Sequence, residues 1–223
     1  MKAAVDFSRL EKDHILPIVA HEFISVANDA PVIFIKHEET GRFVPAALLG
    51  LKPGENLIVS KDGTWTAQYV PGIVATYPFR LMSSEHDQTQ LIMAIDEDAD
   101  CLSRDEGIPL FDENGKETEF MQNREVAVQT YFEHNQVTDG FIRILTELEL
   151  LNERTLTVEA GGDKINLNGI YAIDEVKLNT LPDDKFSDLR QRGFLPAIYA
   201  HLISLNQIRR LGLLYSQRHE SEA

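Results

Sequence analysis

Residues 193–214, GFLPAIYAHLISLNQIRRLGLL, decide how this chain must fold. On a helix turning about 100° per residue, Leu195, Ile198, Leu202, Leu205 and Leu213 share one broad face, widened by Tyr199 and Ile203. Ser204, Gln207 and Arg210 point the other way. Asn206 falls near the edge of the apolar arc, and Arg209 falls near its centre. A buried guanidinium without a partner is costly, so this projection demands that Arg209 find a carboxylate or snorkel out to solvent. Asp174 and Glu175 are the nearest acids outside the flanking helix, with Asp183 and Asp184 next. The expectation is an Arg209 ion pair with Asp174 or Glu175 that docks the terminal helix on residues 168–175.

Working outward, Pro182-Asp183-Asp184 opens a preceding helix with acids in its first turn, and Gly193 ends it. Asp174 is placed to cap a shorter one. Residues 155–159 and 164–168 flank Ala160-Gly161-Gly162-Asp163, a hairpin signal. Residues 117–151 carry helical periodicity through Val126, Tyr131, Phe132, Phe141, Leu145 and Leu148, with Asp139-Gly140 expected to split them into two helices.

Before Asp96 the pattern changes to short strands: PVIFIK (31–36), FVPAALLGL (43–51), NLIVS (56–60), WTAQYV (65–70), 79–82 and 90–95. Turns at Pro53-Gly54 and Lys61-Asp62-Gly63 separate them, and Pro71 starts a short helix through Ala75. Residues 6–20 read as an arm or short helix laid on the body. The expected fold is α+β: one domain, residues 1–223, with a β-rich part over about 1–96 of short antiparallel strands. It packs against a mainly helical part over about 97–223 that carries one hairpin.

Composition narrows the function classes. Thirty-six acidic against 21 basic residues give a formal net charge of -15, which repels phosphate backbones and anionic lipid. No apolar run is long enough to cross a bilayer, and the first residues lack the apolar core of a secretory signal. The single cysteine, Cys101, rules out an internal disulfide framework. These features point to a cytoplasmic protein that binds no nucleic acid, and they leave its oligomeric state open.

Seven histidines invite a metal search. His21-Glu22, His37-Glu38-Glu39 and His86-Asp87 each set an acid beside an imidazole. None has the spacing of a facial triad, and adjacent strand residues point to opposite faces. No metal or other cofactor is therefore assigned. Nucleophile elbows and phosphate cradles are absent, and Cys101 sits among carboxylates that oppose a thiolate. No catalytic residue is assigned. The acidic run 96–105 lacks EF-hand spacing and reads as a solvated loop. The best binding candidates are aromatic: Trp65 and Tyr69, then Tyr77 with Arg80, which could stack on a sugar or anchor a partner peptide, against the commoner role of strand aromatics as core.

Five segments in order, GRFVPAALLGLKPGENLIV, GTWTAQYVPGIVATYPF, PLFDENGKETE, LNGIYAIDEVKLNTLP and AIYAHLISLNQIRRL, resemble the bacterial SapC-like family over nearly the whole chain. That family takes its name from a protein associated with a bacterial surface layer. Its members are often encoded near TonB-dependent receptors, halogenase-like flavoproteins and cupin-like oxygenases. The resemblance implies a non-catalytic accessory protein of a surface-layer, uptake or modification system, with a protein or envelope component as partner. The alternative is a metal-dependent oxygenase-like enzyme acting on a peptide or envelope component. A convergent His/His/acid cluster would favour the enzyme, and an aromatic groove without one would favour the binding protein.

Overall fold

The computed structural model describes residues 1–2, 6–83 and 90–220. A 3-10 turn at Ser8–Leu10 leads into strand β1 (Ile15–Pro17). Helix α1 (Phe23–Val26), β2 (Val32–Lys36), β3 (Phe43–Leu48), α2 (Gly72–Ala75), β4 (Phe79–Ser83) and β5 (Leu91–Ile95) follow. The second half holds α3 (Glu119–Glu147), β6 (Leu151–Ala160), β7 (Asp163–Ile173), α4 (Glu175–Asn179), α5 (Asp183–Gln191), α6 (Leu195–Ser204) and α7 (Ile208–Glu220).

The fold is α+β with antiparallel sheets, but the strands are not confined to the N-terminal half. A five-stranded sheet runs β1-β3-β2-β7-β6, so the C-terminal hairpin completes the N-terminal meander through Phe34↔Tyr171 and Ile35↔Ile170. Among the described residues a second sheet pairs β4 with β5. Phe23, Phe34 and Phe141 are fully buried and meet edge to face, with Phe23 6.1 Å from Phe34 and 6.0 Å from Phe141. Helix α6 lies on β2 and β7, and α7 lies on β6.

Several expected elements form for the expected reasons. Asp174 caps α4 by accepting the Lys177 N–H at 3.0 Å. Gly193 ends α5 in the left-handed region at φ 74°, where a Cβ would be strained. Others differ. Residues 6–20 supply the edge strand β1 beside their short turn. Helix α3 runs unbroken through Gly140, capped by the Thr118 hydroxyl accepting from Met121 N–H. One helical glycine costs about 1 kcal/mol against alanine, less than the burial of Phe141, Ile142 and Leu145 returns. Residues 56–60 and 65–70 share one isolated bridge, Val59↔Trp65, rather than a ladder. The backbone there is taken elsewhere: Gln68 N–H donates to Asp29 Oδ2 at 2.8 Å.

The terminal segment corrects the projection most. A 3-10 turn at Leu205–Gln207 separates α6 from α7. Ile198 is fully buried as projected, in a docked stripe with Ala197, His201, Ser204 and Leu211, while Ile203 and Leu213 face solvent at 66% and 65% exposure. Arg209 is exposed, and the Asp174–Glu175 pairing does not form. Asp174 instead accepts from Asn152 Nδ2 at 2.6 Å. The arginine that pairs is Arg210, 3.3 Å from the buried Asp29 carboxylate.

Candidate functional site

Pro71 sets the entry to α2, and Gly72 lets the chain pass close to α3. A Cβ on Gly72 would meet the Tyr131 ring at 2.6 Å. The Gly72 N–H donates to Glu22 Oε1, which also accepts the Tyr69 hydroxyl at 2.8 Å. Glu22 Oε2 accepts the Val19 N–H at 2.8 Å, so both oxygens of this buried carboxylate are committed. One carboxylate thereby ties the segment before α1, the aromatic loop and α2 against α3.

On this frame a cavity of about 620 Å³ opens between α2, α3 and the β4–β5 sheet. Ile73, Tyr77, Arg80, Asp96, Val128 and Tyr131 line it. Arg9 lies over the Tyr77 ring with its guanidinium carbon 3.7 Å from the centroid, and the Tyr77 hydroxyl donates to Asp96 Oδ2 at 3.3 Å. Burial, then the Asp96 carboxylate, pushes the Tyr77 phenol above its ordinary range. Burial raises Tyr131 to about 12, with Glu22 adding to it. Both tyrosines therefore stay neutral hydrogen-bonding groups. Arg80 is exposed at the rim, with Asp96 and Glu97 opposite in charge.

The four aromatic-site candidates separate into two places. Tyr77 and Arg80 share the cavity. Trp65 and Tyr69 do not line it: the Trp65 indole donates to Tyr69 O at 2.9 Å, and the Tyr69 hydroxyl is spent on Glu22. Both rings are half-buried against the main core. Tyr131 and Asp96 were not singled out from sequence. In the sequence Tyr131 is one more apolar position of a helix, and the signal that could have marked it is Gly72, where a Cβ would strike its ring.

Tyr131 also borders a neighbouring cavity of about 330 Å³, with His37, Thr40, Arg42, Asn135 and Asp139 on its lining. Arg42 and Asp139 close part of that opening with a 3.0 Å ion pair.

Among the described residues no three His, Cys, Asp or Glu groups converge. His21 stacks on His134 at 3.8 Å, while its neighbour Glu22 is turned inward. Burial, then the second imidazole, lowers the His21 pKa. His86-Asp87 lies outside the described residues. Burial, more than the adjoining acids, pushes the Cys101 thiol up. Carboxylates of the acidic run serve local turns, as where Asp96 Oδ1 accepts the Asp98 N–H. Among the described residues no helix is long and apolar enough to cross a membrane.

No curated protein and no solved structure matches the chain. The family model described as SapC matches residues 1–211 of its 223 residues, and the chain belongs to that family.

Proposed function

We propose that this protein is a non-catalytic binding protein that holds a peptide or envelope component in the cavity between α2, α3 and the β4–β5 sheet. The supporting observation is the composition of that cavity: two neutral tyrosines and apolar walls, with Arg80, Asp96 and Glu97 also in the lining. Rings and aliphatic side chains offer area to an apolar group, and the opposed charges suit a ligand carrying both signs, as a peptide does. In keeping with the family, the protein serves as an accessory to a surface-layer, uptake or modification system, working from the cytoplasmic side.

The test is comparative capture from a lysate with wild type, Tyr77→Ala, Arg80→Glu and Trp65→Phe. A ligand held in this cavity is retained by wild type and Trp65→Phe and lost from the two cavity variants. Equal retention by all four would sink the assignment. The oxygenase-like alternative calls for two imidazoles and a carboxylate open to a metal; among the described residues, His21 and His134 stack on each other and both oxygens of Glu22 accept hydrogen bonds.

A further inference from the structure

The geometry points to a second copy of this chain as the partner of β5, paired antiparallel across a two-fold axis at Met93. The resulting dimer carries a four-stranded sheet in the order β4-β5-β5-β4.

The backbone register sets this up. Asp96 N–H donates to Pro78 O at 3.0 Å, and β4 pairs with β5 from Phe79↔Ile95 to Ser83↔Leu91. Antiparallel ladders alternate between hydrogen-bonded and open pairs. Arg80↔Ala94 and Met82↔Ile92 are thus bonded pairs, which leaves the N–H and C=O groups of Leu91, Met93 and Ile95 pointing away from β4. Among the described residues, no hydrogen bond engages those outward groups. About a two-fold axis at Met93, Leu91 meets the partner's Ile95 and Met93 meets the partner's Met93, so each outward group finds a complement.

Edge strands are normally blunted by charge, proline or a bulge. Strand β5, LIMAI, has none of these, and Leu91 and Ile92 are 45% and 49% exposed. Met82, opposite Ile92, is 42% exposed and continues the same apolar strip. The edges of the larger sheet are protected. β1 ends in Pro17, which has no donor, and β6 has a register shift after Arg154. Self-pairing of β6 about Glu153 or Arg154 would set like charges face to face.

Sedimentation equilibrium of the full chain at about 100 μM, a concentration above the dissociation constant of a micromolar dimer, tests this. The expected mass is twice the 25.2 kDa of the chain. Met93→Pro removes an outward donor without touching the β4 ladder, and it should return the mass to 25.2 kDa with an unchanged circular dichroism spectrum. Ile92→Lys should do the same. Met93→Cys in a Cys101→Ser background should be joined between subunits by a short bismaleimide, because bonded antiparallel pairs place Cα atoms about 5.5 Å apart. A monomeric wild type, a dimer indifferent to both edge variants, or a Met93→Cys protein that does not cross-link overturns the proposal.

Discussion

His201 Nε2 accepts the Ile173 N–H at 3.0 Å, in a place where β2 would otherwise have supplied a carbonyl. Continuing the register of Phe34↔Tyr171 would bring Val32 opposite Ile173. The strands have parted there, and the imidazole fills the opening. Its Nδ1 lies 2.9 Å from Val32 O, which assigns the proton to Nδ1 and leaves Nε2 as the acceptor. Ser204 completes the repair by accepting the Val32 N–H at 2.8 Å. Two side chains of α6 thus stand in for a missing length of β-ladder, and both are fully buried.

His201→Leu should destabilise the protein by about 3–5 kcal/mol, because it leaves a buried N–H and a buried C=O unpaired. Urea unfolding measures it. Ser204→Ala should cost about 1–2 kcal/mol by the same reasoning, with one group orphaned. A His201→Leu variant as stable as wild type would show that water replaces the imidazole.

Protonation of His201 would set two N–H groups against each other, and burial lowers its pKa to about 4. The unfolded chain binds this proton more readily, near pH 6.5, so stability rises with pH across that window. The contribution is complete above pH 6.5 and is lost as pH falls toward 4, by about 3 kcal/mol in all. The stability difference between wild type and His201→Gln should shrink by that order across the window. A difference that stays flat would mean the imidazole is charged in the fold.

Arg210→Ala should cost about 2–3 kcal/mol, since it strips the guanidinium from a buried Asp29 carboxylate and from Asp29 O. Arg209→Ala, at an exposed position with no ion-pair partner among the described residues, should melt within about 0.5 kcal/mol of wild type. Thermal melts of the two variants side by side decide between them.

Gly72→Ala should destabilise by about 1–3 kcal/mol by driving a methyl into the Tyr131 ring. Tyr131→Ala in the same chain should recover part of that loss, and a double-mutant cycle reads the coupling. Additive costs would mean that α2 shifts instead of the ring.

Gly212→Ala tests the seat of α7. The added methyl would lie 2.8 Å from Val158 Cγ2 and 3.4 Å from Glu159 O, so the helix must lift from β6. A lower melting temperature, with faster amide exchange in 208–220 than elsewhere, is the expected result.

Chemistry that acts within a few residues was legible in the sequence. The caps and stops at Asp174, Pro182 and Gly193, the Gly161-Gly162 hairpin, and the strands at 32–36, 43–48, 79–83 and 91–95 depend on backbone angles and near neighbours. The α+β class and the family follow from such segments. Tyr77 and Arg80 were visible as a local aromatic and basic cluster. Tyr131 and Asp96, which meet them across the cavity, were not.

Tertiary structure alone decided which way the terminal helices face. Hydrophobicity assigned Ser204, Gln207 and Arg210 to solvent and Ile203 and Leu213 to the core. The fold reverses this, because the surface under α6 and the start of α7 is backbone left unpaired by a loop and by two parting strands. Ser204 takes Val32 N–H, Gln207 Nε2 donates to Ala27 O and Asn28 O, and Arg210 holds Asp29. An unsatisfied buried carbonyl or amide costs as much as an exposed leucine forgoes, so the polar side chains go inward. Those carbonyls and amides lie about 170–180 residues upstream, and nothing within α6 records that they are unpaired.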